Sequence, residues 1–257
     1  MIKFYRKIRQ NLFSEGKTGK YLKYAFGEII LVVIGILIAL SINNWNQNRI
    51  NTGKQEDYFL GLKNDLENQI TIFNSIVQFN DYIISEGESI LRDFSATSKF
   101  SEIDSINRKL TTMMFTQDYP DISTSFNELN STGQFNLIKE KSIRYQIIKY
   151  YQDSKHFQNS MVGNRNEVIY PQVFPIIKSM VIIHQENFRI KNSGINLMDN
   201  LKSTFDNNFN DPTKEFELVN AINLRVIIAK NDKGIIGNAK NQAELLLEVI
   251  NNQLKIN

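Results

Sequence analysis

Polar and apolar positions divide the chain into one unbroken apolar run and a set of longer amphipathic stretches. Residues 29–40 (IILVVIGILIAL) are apolar or small throughout, too short alone for a bilayer core that takes about 20 helical residues. The flanks supply the rest. Residues 21–45 form roughly 37 Å of helix at about 1.5 Å per residue, with Tyr21, Tyr24 and Trp45 where interfacial aromatic side chains gather. The pattern predicts a transmembrane helix over 21–45. Before it, in the arm of residues 1–20, Ile2, Tyr5, Ile8 and Leu12 share one helical face with Lys3, Arg6, Lys7 and Arg9 around it. Such an arm suits the plane of an anionic membrane, or serves only as a solvated charge that sets topology.

After the span the spacing becomes that of packed helices, and residues 46–257 are expected to form an all-helical domain. Phe59, Leu62, Leu66, Ile70, Phe73 and Val77 mark one face of a helix running to about residue 91. Only Gly53 separates it from the span, so it is expected to continue directly from it. A connection over 94–100 leads to a helix capped by Ser101 and carrying Ile103, Ile106, Leu110 and Met114. Pro120 and Asp121 break the chain, a short helix over 125–132 stops at Gly133, and Ser142 is the expected cap of a long helix through Ile143, Ile147, Tyr150, Tyr151, Phe157 and Met161. Residues 170–175 (YPQVFP) are expected to end it, and an Asn-rich run over 192–210 follows. Asp211 then caps a helix with Pro212 in its first turn. Its expected face is Phe216, Val219, Asn223, Val226, Lys230, Lys233, Gly237, Lys240, Ala243, Leu247, Ile250 and Leu254. The stretch reads as one long helix or two stacked helices, with Gly234 and Gly237 marking a kink or a break. The fold class is therefore all-α: one N-terminal transmembrane helix, then an extracytoplasmic bundle of four to six helices.

Charge sets the orientation. Residues 1–27 hold seven Lys and Arg against Glu15 alone, and the whole chain nets +3, so the body nets about −3. Cytoplasmic flanks carry the Lys/Arg excess, which places the N-terminus in the cytoplasm and the body outside the inner membrane. The body has no basic excess for a phosphate backbone, so nucleic acid is not an expected partner. A cleaved signal peptide competes with the anchor, since Ala39-Leu40-Ser41 offers a small-residue site; the long basic region and Trp45 favour the anchor. Glu28 lies about one turn inside the basic end, where it can reach headgroups, pair with Lys20 or Lys23, or act as a functional intramembrane carboxylate.

The anchor residues themselves carry a likeness. The run 4–9 (FYRKIR), 15–25 (EGKTGKYLKYA), 27–40 and 42–46 resembles a bacterial family of single-span membrane proteins that opens with a basic FRKIR-like arm. That family continues through an EGKTGKYLKYA-GEI-LVVIGILIAL-INNWN anchor into a helical extracytoplasmic region whose function is not assigned. A weaker echo is 126–139 (FNELNSTGQFNLIK). The resemblance implies topology and no activity.

The chain offers little chemistry. With no cysteine, disulfides, thiolate metal sites and Cys nucleophiles are excluded. The two histidines, His156 and His184, have no H-E-x-x-H or carboxylate array beside them. Gly16-Lys17-Thr18 lacks the first glycine of a phosphate loop, because Asn11 stands there. Asp65/Glu67 and Glu86/Glu88 are two apart, on different helix faces. Glu128, in the family-like segment, is the acid of most interest, against the simpler reading of a surface charge before a turn. No catalytic, cofactor-binding or metal-ligating residue is assigned. Gly35 and Ala39 form a small-x-x-x-small pair that would let spans associate as a homodimer. The expected function is a membrane-anchored, non-enzymatic interaction, scaffold or sensor-like module with the lipid bilayer and an unknown protein as partners. The alternative is a small-ligand receptor or enzyme whose site is assembled in the bundle.

Overall fold

The computed structural model describes residues 18–183, 203–204 and 207–256. The arm before Thr18, His184 and most of the Asn-rich run lie outside them. The described residues are helical with no β-strand, so the chain is all-α. We number the helices α1 (Thr18–Thr97), α2 (Ile106–Met113), α3 (Thr124–Ser131), α4 (Lys141–Gly163), α5 (Phe174–Met180) and α6 (Pro212–Ile256), with a π-helical segment at Asn164–Val173. The chain divides into two units, Met1–Asp57 and Tyr58–Asn257.

The described part of the first unit is helix alone. Its apolar residues, from Leu22 through Ile42 and Trp45, are exposed, and one apolar window long enough to cross a membrane has none of its surface covered. Gly53 does not interrupt α1, and a Cβ there would meet nothing.

In the second unit, α1 buries Phe59, Leu62, Leu66 and Phe73, four of the six residues its spacing singled out, with Ile70 and Val77 half-buried. Its end is later than expected. The helix runs to Thr97, past residue 91, and closes on Ser98, a left-handed residue (φ 57°) whose N–H donates to the Phe94 carbonyl at 2.7 Å. Phe94 stacks on Phe100 with ring centres 4.1 Å apart, and this contact carries the extra turns. Helix α2 starts after Ser105, also left-handed (φ 55°) and without a side-chain capping bond, and not after Ser101, which lies in a 3-10 turn. Helix α3 stops as expected before Gly133, whose φ of 66° costs a glycine nothing. Helix α4 is preceded by Glu140, so Ser142 is already inside it.

Two further expectations fail. The prolines at 171 and 175 do not end the helical path. Proline removes a donor and crowds the carbonyl four residues back; the wider π turn around Pro171 accommodates this, and Pro175 sits in the first turn of α5, where no N–H is needed. Helix α6 is continuous through Gly234 and Gly237, one long helix and not two, but over much of its length the face it buries is not the one expected. Phe216, Asn223, Lys230, Lys233 and Gly237 are exposed, while Leu218, Ile222, Arg225, Ala229, Asp232, Ile236 and Ala239 are buried; of the expected positions, Val226, Ala243 and Ile250 are buried. The buried stripe mixes Leu218, Ile222 and Ile236 with alanines, Arg225 and Asp232, while Phe216, Ile227 and Leu245 are exposed, so size and polarity do not separate the two sides. Asp211 caps α6 as expected, its carboxylate accepting from Thr213 N–H at 2.9 Å.

The core forms two apolar clusters. One gathers the Phe59-to-Ile76 part of α1, Leu129 of α3, α4 and the Ile236-to-Ile250 part of α6. The other gathers Ile83 and Ile90 of α1, α2, α5 and the Leu218-to-Ala229 part of α6. Helix α1 passes close to α6 at Gly87, where a Cβ would stand 2.4 Å from Val226 Cγ2 and 2.9 Å from Met113 Cε.

Candidate functional site

Two polar features interrupt the apolar packing. The first lies at the junction of the two clusters. Arg225 is almost wholly buried, yet its Nε donates to the Met113 carbonyl at 3.0 Å and its Nη2 to the Phe115 carbonyl at 2.8 Å. Its Nη1 has no partner among the described residues. Asp232, two turns along α6, accepts from Asn164 Nδ2 at 2.6 Å. Burial pulls the Arg225 guanidinium down to about 10, opposed by the Asp232 charge. Burial likewise pushes the Asp232 carboxyl up, against Asn164 and Arg225. Arg165 and Asp118 form an ion pair beside them. The space here is about 10 Å³, room for no more than one water. This arrangement joins helices; it has no volume for a substrate.

The second feature is a cleft of about 260 Å³ between α1, the 119–123 turn, α3 and α4. The turn is held from α1 by two side chains. Gln69 takes the Tyr150 hydroxyl on its Oε1 and donates its Nε2 to the Ile122 carbonyl. Asp65 accepts the Ser125 N–H at 2.8 Å, so a carboxylate from another helix caps the α3 N-terminus. The opening residues of α3 thereby face α1 at a fixed distance, and Gly61 leaves room for Ser125. The walls are aromatic, with Phe126 stacked on Tyr151 at 4.3 Å. Tyr119 shares a hydrogen bond with Ser154 at 2.9 Å. The Tyr151 hydroxyl is buried and has no partner among the described residues.

Burial pushes the Tyr119 hydroxyl up to about 12, with the Asp121 charge adding and the Ser154 bond opposing. Burial also raises Tyr150 and Tyr151, the latter further raised by Asp65. All three are protonated at neutral pH.

The acids singled out in the sequence do not converge. Glu28 lies on the exposed surface of α1. Glu128 sits on the outer side of α3, 3.4 Å from the Tyr58 hydroxyl, and does not line the cleft. Asp65 turns inward to α3 while Glu67 faces Lys63 at 3.8 Å. Glu86 faces Arg108 at 3.5 Å and Glu88 pairs with Lys230 at 2.7 Å. His156 is exposed on α4. Gly35 and Ala39 are exposed, and nothing lies within 4 Å of a Cβ at Gly35. No group of three His, Cys, Asp or Glu converges among the described residues. Sequence reading missed Gln69, Tyr119 and Arg225. The signal for Gln69 was a polar residue within an otherwise apolar stripe; Arg225 lay on a face whose alanines hid it.

The model of a family of unknown function, DUF6090, matches residues 28–168, more than half of the 257 residues. The chain belongs to this family. The finding agrees with the likeness drawn from the anchor. No curated protein and no solved structure matches. The DUF6090 match begins inside the exposed apolar stretch of α1 and ends in the π segment. It contains every residue lining the cleft, whereas Arg225 and Asp232 fall beyond it.

Proposed function

We propose that this DUF6090 protein is a single-pass inner-membrane protein. Its basic arm of residues 1–20 is cytoplasmic, residues 21–45 span the bilayer, and residues 46–257 form an extracytoplasmic helical domain. That domain acts as a non-enzymatic interaction, scaffold or sensor-like module. One observation carries the reading: the apolar side chains of α1 from Leu22 through Ile42 are exposed on every side of the helix. An apolar surface of that extent needs a cover, and lipid covers all sides of a helix at once. The seven basic residues among 1–27 against one acid favour the inside for the arm. Acids dispersed over separate faces and tyrosines held neutral favour binding over catalysis.

The topology test is a pair of fusions after Asn257 in a bacterial host. Alkaline phosphatase is expected to be active, and a cytosol-dependent fluorescent protein dark. The reverse pattern, or full-length protein in the soluble fraction, overturns the reading. Affinity capture of the full-length protein from membranes, beside the anchorless body, identifies the protein partner. Crosslinking across Gly35 and Ala39 tests the homodimer through the span. The cleft favours a second reading, a small-ligand receptor.

A further inference from the structure

We propose that the cleft between α1, the 119–123 turn, α3 and α4 binds an uncharged, hydroxyl-bearing molecule of about monosaccharide size. The size follows from the volume. About 260 Å³ is several times the roughly 30 Å³ that a water occupies in the liquid, but lies below the roughly 300–1,000 Å³ of pockets for drug-sized ligands.

The charge follows from the lining. Its two ionisable partners of opposite sign, Asp121 and Lys155, cancel. Each is also engaged within the protein: Asp121 accepts the Ser123 hydroxyl at 3.0 Å, and Lys155 donates to Gln158 at 2.6 Å. A phosphate or a metal ion would find no net complement there. What remains are the spare hydrogen-bonding positions of neutral groups, chiefly the Asn127 amide, which also donates to Ser123 at 2.9 Å, and the Ser154 hydroxyl, which also bonds Tyr119, beside the stacked faces of Phe126 and Tyr151. Such a surface takes a ligand with one carbon-bearing face and several hydroxyls. Tyr151 supplies the independent sign of a ligand. Its ring lines the cleft, and its hydroxyl is enclosed and unpaired in the protein, a cost that a bound molecule relieves by shifting the ring enough to bring an oxygen to it.

The cleft is also built from outside itself. Gln69 and Asp65 fix the turn and α3 from α1, so its shape does not depend on the ligand. The inference deepens the sensor-like reading and rests on it only for the compartment in which the ligand is met.

The test uses full-length protein in detergent, where topology plays no part, so binding and topology fail separately. Calorimetric titration is run with glucose and N-acetylglucosamine as uncharged probes, and with glycine, a zwitterion, and inorganic phosphate, an anion, as probes that carry charged groups. Saturable binding of at least one sugar and of neither charged probe is expected. Tyr151→Phe keeps the ring and removes the oxygen. It is expected to weaken sugar binding by about three- to tenfold while the melting temperature stays level or rises. Asn127→Trp at the exposed rim is expected to abolish binding with the helical circular dichroism unchanged, and covers the case in which Tyr151→Phe does not fold. Preference for glycine or phosphate overturns the proposal. So does absence of saturable sugar binding, or sugar binding that Asn127→Trp leaves intact.

Discussion

Replacing Arg225 with methionine tests whether the polar junction holds the two apolar clusters together. Methionine keeps most of the side-chain length and removes the guanidinium. Two hydrogen bonds from a charged donor are lost, each contributing about 1.5–3 kcal/mol, and the Met113 and Phe115 carbonyls lose those donors. Against this, the desolvation cost of the guanidinium and the unpaired Nη1 disappear, which returns about 1–3 kcal/mol. The net expectation is a loss of about 2–4 kcal/mol, in the range for breaking a buried charged contact from one side.

The loss depends on pH through Asp232. Its carboxyl titrates above the ordinary 3.8 when folded, so the folded state holds the proton more tightly than the unfolded one. Stability from this group therefore falls as pH rises from 3.8 through the raised folded value. Without Arg225 the folded value rises further, so the penalty of Arg225→Met is smaller in acid, where Asp232 is protonated, than at neutral pH. Urea unfolding of full-length protein in detergent, followed by circular dichroism at both pH values, measures this. Arg225→Met with Asp232→Leu is expected to recover part of the neutral-pH loss. A single-variant loss under about 1 kcal/mol, or one independent of pH, would refute the reasoning.

Other substitutions test separate contacts. Gly87→Ala gains about 1 kcal/mol of helix propensity, but its methyl overlaps Val226, whose Cγ2 is too near the backbone to swing aside; a net loss of about 1–2 kcal/mol is expected in urea unfolding. Asp65→Ala removes the cap on α3 and is expected to cost about 1–2 kcal/mol; without that charge Tyr151 ionises at lower pH, readable by tyrosinate absorbance. Asn107 exchanges two hydrogen bonds with Ile182, at 2.8 and 2.7 Å, and Asn107→Ala is expected to speed amide exchange at Ile182 by about tenfold or more. Tyr119, held up to about 12 against its ordinary 10.0, makes folding less favourable as pH rises across that interval, by about 2–3 kcal/mol at its top; an alkaline melt should steepen there, and less so in Tyr119→Phe.

Legibility in the sequence followed the size of the side chains. The apolar faces of α1 and α4 could be read because Phe59, Leu62, Leu66, Ile143 and Ile147 are large and regularly spaced. Much of the α6 face could not, because Ala221, Ala229 and Ala239 share the packing with the polar Arg225 and Asp232 while Phe216 and Ile227 are exposed, which leaves little contrast between the two sides. Endings were harder still. Ser98 and Ser105 take left-handed conformations usually left to glycine, held there by the fold around Phe94 and Phe100. Pro171 reads as a stop in any local rule and is absorbed by a wider turn. Most of the cleft was invisible for a different reason: Gln69, Tyr119 and Tyr151 are 32 to 82 residues apart in sequence, and nothing in their spacing announces that they meet.

The division of the core at Arg225 and Asp232 has a consequence for how the molecule comes apart. Apart from α1, α6 and the α4-to-α5 path, every element belongs to one side of that seam. Amides around α2 and α5 are therefore expected to share one opening event in hydrogen exchange, and those around α3 and α4 another. Arg225→Met should drive their two rates further apart by loosening the less protected half first. Because the cleft lies wholly in the half nearer Phe59, its occupant would slow exchange there and leave the other half's clock unchanged.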